Sequence, residues 1–273
     1  MTLQNILERR VAELDHAVEP REYPRGDLVH FIRVLQQVVA PGEAPDSTTT
    51  ETLRSEDADL FLRQCRLLDR IAANFPQLTD GPLDRSAQYW VATGRPRRLS
   101  ARNYRPRKSS FISVRRATPS PIGAKPFGVG LFTSTGLPGS YGMWRCYLRG
   151  YENSTLHPKP WNTWHLHLER EARVYEIRDA THWVKLIAEH PRIEAGFVYP
   201  DWTMIAARWD AVHISLRAVA AAQGVSFATA LGPTVAPYWD VESTFWLNWR
   251  FTTATLVEVT PPHQNRKSGN SLQ

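Results

Sequence analysis

The stretch Trp239-Asp240-Val241-Glu242-Ser243-Thr244-Phe245-Trp246-Leu247-Asn248-Trp249 decides how the second half of the chain is interpreted. Its aromatic and β-branched residues are typical of a buried strand. Two carboxyl groups lie in this run, and a charged group in such a strand needs either a partner or a function. In a regular strand Asp240 and Glu242 share a face, an arrangement common in acid/base and cation-stabilising sites. The alternative is a buried salt bridge from Glu242 to Arg115 or Arg250.

Short segments of alternating or β-branched residues recur through the second half of the chain. They predict strands at 111–114, 129–133, 143–148, 164–168, 174–177, 211–215 and 244–257. Helices are predicted at about 180–190, where Asp179 can act as the N-cap, and at 201–208. Many short strands with few helices indicate an α+β domain built on antiparallel sheets, spanning residues 95–260.

The first 94 residues have a different pattern. Apolar residues recur at helical spacing around 3–14, 28–38 and 56–74, and a shorter helix is predicted at 83–93. We therefore expect a helical N-terminal region over residues 1–94. Residues 261–273 are expected to form a flexible tail.

The composition is that of a folded globular protein: 42% of the 273 residues are hydrophobic and ten are tryptophan. Two cysteines, Cys65 and Cys146, have no metal-like or redox-like spacing, and both are expected to be reduced core residues. The N-terminal residues do not resemble a signal peptide, and no apolar run approaches the roughly 20 residues that span a bilayer. We expect a cytoplasmic protein without membrane contact, although export by a dedicated machine would leave no trace in the sequence.

Positive charge is concentrated just before the first predicted strand of the α+β domain. The net charge is +6, and residues 95–116 contain nine Lys and Arg residues but no acidic residue. Such a cluster attracts polyanions, either a nucleic-acid backbone or a pyrophosphate. A solvated basic loop is the alternative.

Two segments before the acidic strand could contribute to a site. Residues 127–136 combine glycines with the hydroxyl groups of Thr133, Ser134 and Thr135, which suits contact with a sugar or phosphate. A plain hairpin with glycine turns would give the same pattern. The predicted strand at 111–114 runs into two arginines, and a guanidinium group at a strand end can bind pyrophosphate. Alternation favours Arg115 as the residue that enters a cleft but does not exclude Arg116.

In this order, the strand arginine, the F-x-S-T element and the late glutamate resemble mono-ADP-ribosyltransferases of the Arg-Ser-Glu type. Phe132-Thr133-Ser134-Thr135 is similar to the F-x-S-T-S element of that family, with Gly136 in place of the last serine. Asp240-Val241-Glu242 is similar to its Q-x-E or E-x-E element, with Asp in place of the usual first residue. The resemblance covers residues 109–257 and implies an α+β fold of split antiparallel sheets.

The resemblance also implies roles for single residues. Arg115 would hold the NAD pyrophosphate, and Ser134, helped by Thr135, would steady the nicotinamide ribose. Glu242 would bond a ribose hydroxyl and stabilise the cation that forms as nicotinamide departs, and Asp240 would orient or deprotonate the acceptor. NAD is then a substrate, and no metal is needed.

The acceptor stays open at this level. The basic run 95–116 favours DNA or RNA over a neutral protein side chain, and relatives of this type are often toxins or effectors. An NAD glycohydrolase, in which water replaces the acceptor, and a transferase fold without activity are variants of the same hypothesis. A non-catalytic nucleic-acid-binding protein, with 95–116 as its phosphate contacts, is the competing one. Three histidines are weaker candidates: His165 and His167 share a strand face, and His213 could contact a ribose or simply pack.

Overall fold

The structure, a computed structural model, describes residues 72–73, 76–94, 105–117, 126, 128–137, 141–150, 157–222, 226–236, 239 and 241–261. It is a mixed α+β fold with one large sheet and short helices. The helices are α1 (Pro76–Asp80), α2 (Met143–Gly150), α3 (Ala180–Glu189), α4 (Trp202–Arg208) and α5 (Leu216–Ala222), with 3₁₀ helices η1 (Lys108–Ser110) and η2 (Val114–Arg116). The strands are β1 (Gln88–Thr93), β2 (Leu131–Thr135), β3 (Trp161–Leu168), β4 (Val174–Ile177), β5 (Pro191–Glu194), β6 (Phe197–Pro200), β7 (Ala211–Ile214), β8 (Ser226–Thr229), β9 (Gly232–Val235), β10 (Ser243–Trp246) and β11 (Phe251–Thr260).

Seven of these strands form the main sheet in the order β11-β3-β1-β2-β10-β7-β4. All neighbours are antiparallel except β4 and β7, which run parallel. The helix α3 follows β4 and α4 precedes β7, so this parallel pair has the long helical connection that it needs. Two small hairpins, β5–β6 and β8–β9, stand apart from the sheet.

One face of the sheet is covered by helices. Val212 and Ile214 of β7 and Phe245 of β10 pack there, against large side chains such as Trp183 of α3 and Trp202 of α4. All five side chains are buried, and burial of a large apolar side chain stabilises the fold by about 1.5–3 kcal/mol. This core fixes the register of the central strands, because a slip by one residue would turn every side chain to the other face.

The opposite face carries the other half of each strand's residues. Trp246, Trp164 and Leu83 form part of a second apolar cluster at one side. Between the apolar residues, polar side chains of four neighbouring strands line up in register: Glu176 pairs with His213, His213 with Thr244 and Thr244 with Thr133.

Several predicted elements are confirmed. The strand at 174–177 is β4, and those at 164–168 and 211–215 correspond to β3 and β7. Asp179 caps α3 by accepting from the backbone N–H of His182, as predicted. The helix predicted at 201–208 is α4, and the Asp201 side chain caps it.

Other predictions are wrong. Residues 111–114 form no strand but lie between and in η1 and η2, and 143–148 form the helix α2. The helix predicted at 83–93 is replaced by β1, an interior strand of the sheet, so the sheet begins before the predicted domain boundary at residue 95. The strand predicted at 244–257 is two strands, β10 and β11, separated by a turn.

Three predicted regions lie outside the described residues: the helices within 1–71, the beginning of the basic run at 95–104 and the tail from 262. In the part of the chain that the structure describes, no helix has both the length and the apolar character needed to cross a bilayer.

Candidate functional site

The strongest concentration of polar groups lies inside the protein, on the face of the sheet opposite the helices. We call Glu176, His213, Glu242, Thr135, Gln88 and Thr133 the polar row. These residues come from β4, β7, the start of β10, β2 and β1. All but Glu176 are buried, and the Glu176 side chain is 21% exposed, so the row meets solvent only at that end.

His213 joins the two acids of the row. Its Nδ1 lies 2.6 Å from Oε2 of Glu176 and its Nε2 lies 3.1 Å from Oε1 of Glu242. Burial opposes a charge on this imidazole, but the hydrogen bonds to Glu176 and Glu242 outweigh it and raise the pKa of His213 from 6.5 to about 9. At neutral pH His213 is therefore an imidazolium that donates one hydrogen bond to each acid.

The pKa of Glu176, the acid at the exposed end of the row, is also affected by its hydrogen bond with His213. Burial opposes ionisation of Glu176, yet the hydrogen bond from His213 and that from the backbone N–H of Leu83 lower its pKa below the usual value. Glu176 is therefore a carboxylate at neutral pH.

Glu242 is held from the other side by β2. Its Oε1 accepts from the Thr135 hydroxyl at 2.8 Å and its Oε2 from the Thr135 N–H at 3.0 Å. The side chain is 0% exposed. With His213, the side-chain partners of Glu242 in the described part of the chain are all donors, which is the pattern of a carboxylate acceptor. The polar row thus holds two acids and one cation inside the protein.

The row continues from Thr135 to the next strand. The Gln88 amide donates to the Thr135 hydroxyl at 3.1 Å, and its carbonyl accepts from the Thr133 hydroxyl at 2.6 Å. The Thr133 oxygen in turn accepts from the Trp246 indole N–H at 2.8 Å. Thr244, which faces both His213 and Thr133, has a buried hydroxyl with no hydrogen-bond partner among the described residues.

The connection from α1 to β1, residues 81–87, passes over this row. The backbone at Gly81 adopts a φ of +70°, and a β-carbon there would lie 3.6 Å from Glu176 and 3.7 Å from His213. Further along, the Ala87 carbonyl accepts from the Gly136 N–H, beside Thr135. The connection therefore covers the row from its Glu176 end to its Thr135 end.

Of the site residues predicted from the sequence, three are brought together. Glu242 contacts Thr135, 107 residues away, and the Ser134 hydroxyl donates to the Glu242 carbonyl at 3.3 Å. Ser134 also accepts from the backbone N–H of Trp144 and is buried, so its hydroxyl supports the backbone around Glu242. Asp240 lies outside the described residues.

Arg115 is not brought to this site. It is exposed in η2, and Ser113, two residues before it, donates to the carbonyl of Leu247, which lies just beyond the end of β10 that is far from Glu242. Leu247 is the fifth residue after Glu242, which corresponds to about 16 Å of extended chain. The salt bridge between Arg115 and Glu242 is wrong, because Arg115 is exposed and Glu242 is buried at the other end of β10. That these two residues hold one dinucleotide together stays a prediction. Arg116 is exposed in the same turn.

The histidine pair of β3 does not form a metal centre. The rings of His165 and His167 are tilted by 52° with their centroids 4.3 Å apart, and Nε2 of His165 lies 2.8 Å from the Ser86 carbonyl. Within the residues that the structure covers, no group of three or more His, Cys, Asp or Glu side chains could hold a metal ion.

Sequence reasoning missed Glu176 and Gln88, and it gave His213 only as a weaker candidate, for a ribose contact or for packing. His213 contacts Glu242 across 29 residues of chain and Glu176 across 37. Gln88 contacts Thr133 across 45 residues and Thr135 across 47, so local spacing does not reveal these contacts. A signal was nevertheless present in Ala211-Val212-His213-Ile214, where a histidine interrupts an otherwise apolar strand. A polar residue there needs a partner, just as Glu242 does.

No family model, no curated protein and no solved structure matches this chain. The function must therefore be argued from the site itself. An acid held by an imidazolium and a hydroxyl beneath a covering segment is an arrangement suited to stabilising positive charge, since the row contains one more acid than cations.

Proposed function

We propose that the protein cleaves NAD between nicotinamide and ribose and transfers ADP-ribose to an acceptor, with Glu242 as the catalytic carboxylate. One observation carries the proposal: Glu242 contacts Thr135 and Ser134 on the neighbouring strand. That convergence is what the resemblance to Arg-Ser-Glu transferases implies for these residues.

The reaction requires a carboxylate whose electrostatic attraction to the ribose is strongest while the bond between ribose and nicotinamide breaks. As nicotinamide leaves, the ribose becomes an oxocarbenium-like cation, and Glu242 stabilises that charge, as the carboxylates of glycosidases do. The bonds from Thr135 and His213 fix the carboxylate before the reaction, so little reorganisation is needed at the transition state. Among the described residues, Oε2 of Glu242 accepts only the Thr135 N–H, which leaves capacity for a ribose hydroxyl.

Entry of NAD requires residues 81–87 to move, because Glu242 is 0% exposed beneath them. Two hydrogen bonds attach this segment to the row, from the Leu83 N–H to Glu176 and from Gln88 to the Asp84 carbonyl. A third joins the Ala87 carbonyl to Gly136 beside the row. Movement of such a segment on substrate binding is a common enzymatic step. A closed segment then excludes water from the cation.

The phosphate contacts differ from those that the resemblance implies. Arg115 is not part of the proposed site. An exposed guanidinium group, that of Arg178, lies beside the outer end of the row, with its Nε 3.9 Å from a β-carbon placed at Gly81. We assign Arg178 to the pyrophosphate on this ground. Asp240 keeps its proposed role toward the acceptor.

Nicotinamide release from NAD by the purified protein tests the proposal. We expect Glu242→Gln to reduce the rate by at least about 100-fold, the effect of losing one preorganised electrostatic group. Glu194→Gln on the β5–β6 hairpin removes a carboxylate remote from the row and should leave the rate unchanged. Circular dichroism of both variants shows whether each is folded. A folded Glu242→Gln protein that retains the wild-type rate would exclude the role of Glu242, and a wild-type protein without turnover would exclude the activity.

The fate of the ADP-ribose distinguishes a glycohydrolase from a transferase. A protein that releases free ADP-ribose in the absence of any acceptor is a glycohydrolase. A mass increase of one ADP-ribose on oligonucleotides or on lysate proteins identifies a transferase and its acceptor class.

A further inference from the structure

A second candidate site lies at the other end of β10. It is a surface pocket of about 440 Å³, which we call the basic pocket, lined by Lys108, Phe111, Ser113, Arg115, Arg116 and Trp249. Its walls come from the segment around η1 and η2 and from the turn between β10 and β11. The polar row and the basic pocket share no residue.

The two walls of the pocket are tied together. The Ser113 hydroxyl donates to the Leu247 carbonyl at 3.0 Å, and the Gly130 N–H donates to the Ile112 carbonyl at 2.7 Å. These bonds attach a segment without regular structure to the ends of β10 and β2. The cations of the pocket are therefore positioned by the sheet, although they lie on a loop.

The charges of the pocket are unbalanced. Lys108, Arg115 and Arg116 are exposed, and among the described residues no carboxylate forms an ion pair with any of the three. Arg105 and Arg107 precede them, and residues 105–117 contain no acid. Five cations on one short segment attract a chain of negative charges more strongly than they attract a single anion.

The aromatic wall of the pocket is rigid. The Trp249 indole donates to the Phe251 carbonyl at 2.8 Å, which fixes the ring plane. Its ring packs edge-on against Phe111, with centroids 5.7 Å apart, and against Phe251 at 5.1 Å. Trp249 and Phe111 are half-buried, so part of each ring remains accessible from the pocket.

We propose that the basic pocket binds single-stranded nucleic acid, with phosphates on Arg115, Arg116 and Lys108 and one base against Trp249 and Phe111. Cations that follow a backbone beside aromatic rings that accept a base are the combination that single strands require. A duplex conceals the faces of its bases and cannot use the aromatic wall. A free nucleotide uses the wall but only a few of the five cations.

Fluorescence anisotropy with a labelled 12-nucleotide single strand tests the proposal. We expect saturable binding by the wild-type protein, and at least tenfold weaker binding by Arg115→Ala/Arg116→Ala. The control is Lys185→Ala/Arg208→Ala, which removes two exposed cations from α3 and α4 and should bind within twofold of wild type. Equal weakening by both double variants would overturn the pocket as the site, and an absence of saturable binding by the wild type would overturn the proposal.

Salt dependence and the aromatic wall give independent readouts. Each phosphate contact contributes about 0.7 to the slope of log affinity against log salt for single strands, so the Arg115/Arg116 variant should lose about 1.4. Trp249→Ala should weaken binding about fivefold or more through lost stacking and leave that slope unchanged. A Trp249→Ala protein with wild-type affinity would show that the ligand is held by charge alone and would overturn the base contact.

Competitors distinguish the possible sources of phosphate. An unlabelled single strand should displace the probe, whereas the matching duplex, inorganic polyphosphate and NAD should each need at least tenfold higher concentrations. Displacement by NAD at the same concentration as the strand would overturn the assignment and return Arg115 to a dinucleotide site. The experiment is independent of the proposed NAD cleavage, because Glu242→Gln protein should bind the strand as the wild type does.

Discussion

The two ends of β10 differ in how their charged residues are placed: those at the start are buried and paired, and those at the end are exposed. At its start, Glu242 is buried with an imidazolium and a second acid, and every charge of the polar row has a partner. At its end, the arginines of the basic pocket are exposed and unpaired within the described part of the chain. Charges removed from water must be paired or they destabilise the fold, whereas exposed charges can be left free for a ligand. Substitutions at the two ends should therefore differ in what they change: stability at one end and binding at the other.

The largest effect on stability is expected from His213→Leu. This change leaves Glu176 and Glu242 in the interior without their shared cation, which should cost about 3–5 kcal/mol of the free energy of unfolding. Urea denaturation at pH 7 measures it. His213→Gln keeps one hydrogen bond without the charge and should be the less damaged of the two variants. A loss below about 1 kcal/mol for His213→Leu would mean that the row is not the interior charge network described here.

The pH dependence of stability comes next in size. The pKa of His213 is raised in the folded protein to about 9, above its unfolded value of 6.5. Its contribution is therefore fully present below about pH 6.5 and is lost as the pH rises through about 9. The shift corresponds to a contribution on the order of 3 kcal/mol. The check is the difference between the wild-type and His213→Gln unfolding curves from pH 6 to 10, which should shrink with rising pH; a constant difference would contradict the imidazolium.

A smaller effect separates two threonines that face each other across β2 and β10. Thr133→Val removes the partner of both Gln88 and Trp246, and leaving those buried groups unsatisfied should cost about 1–3 kcal/mol. Thr244→Val replaces a buried hydroxyl that has no partner among the described residues and should be neutral or stabilising. Thermal or urea unfolding of the Thr133→Val and Thr244→Val variants measures the difference in stability between them. Equal destabilisation by the two changes would show that the hydrogen bonds of the row do not matter to stability.

The smallest effect on stability is expected from the basic pocket. Arg115→Ala/Arg116→Ala removes exposed, unpaired cations and should change the free energy of unfolding by less than about 0.5 kcal/mol. Urea denaturation under the conditions used for His213→Leu provides the direct comparison between the two ends of β10. A loss above 1 kcal/mol would mean that these arginines are structural.

How much of the fold the sequence predicts depends on whether the signal is local. Asp179 before an amphipathic run predicts α3 and its cap, because both partners of the cap lie within one turn. Residues 143–148 mix aromatic and apolar side chains, and the strand interpretation failed because they form the helix α2. Met143 and Cys146 are buried about one turn apart, and Leu148 is buried on a different side of the helix. Residues 111–114 alternate like a strand, but among the described residues no strand pairs with this segment.

The candidate site was also predictable only where its residues leave a local signal in the sequence. Glu242 and the hydroxyl run at 133–135 stand out as polar groups in apolar strands, and their convergence followed from a resemblance of motif order. Arg115 was assigned to the cleft because it follows the strand predicted at 111–114. That strand does not form, so alternation along it could not show which way the Arg115 side chain points. Gln88 was placed on a predicted helix, and its position between Thr133 and Thr135 depends on β1 pairing with β2. Such long-range pairing has no local signature.

One assay addresses the central claim, that the polar row cleaves NAD and the basic pocket does not. Nicotinamide release is measured side by side for the wild type, Glu242→Gln and Arg115→Ala/Arg116→Ala, each shown to be folded. The account predicts loss of turnover in the first variant and a wild-type rate in the second. Full turnover with Glu242→Gln, or a loss with the arginine variant as large as with the glutamate variant, would contradict it.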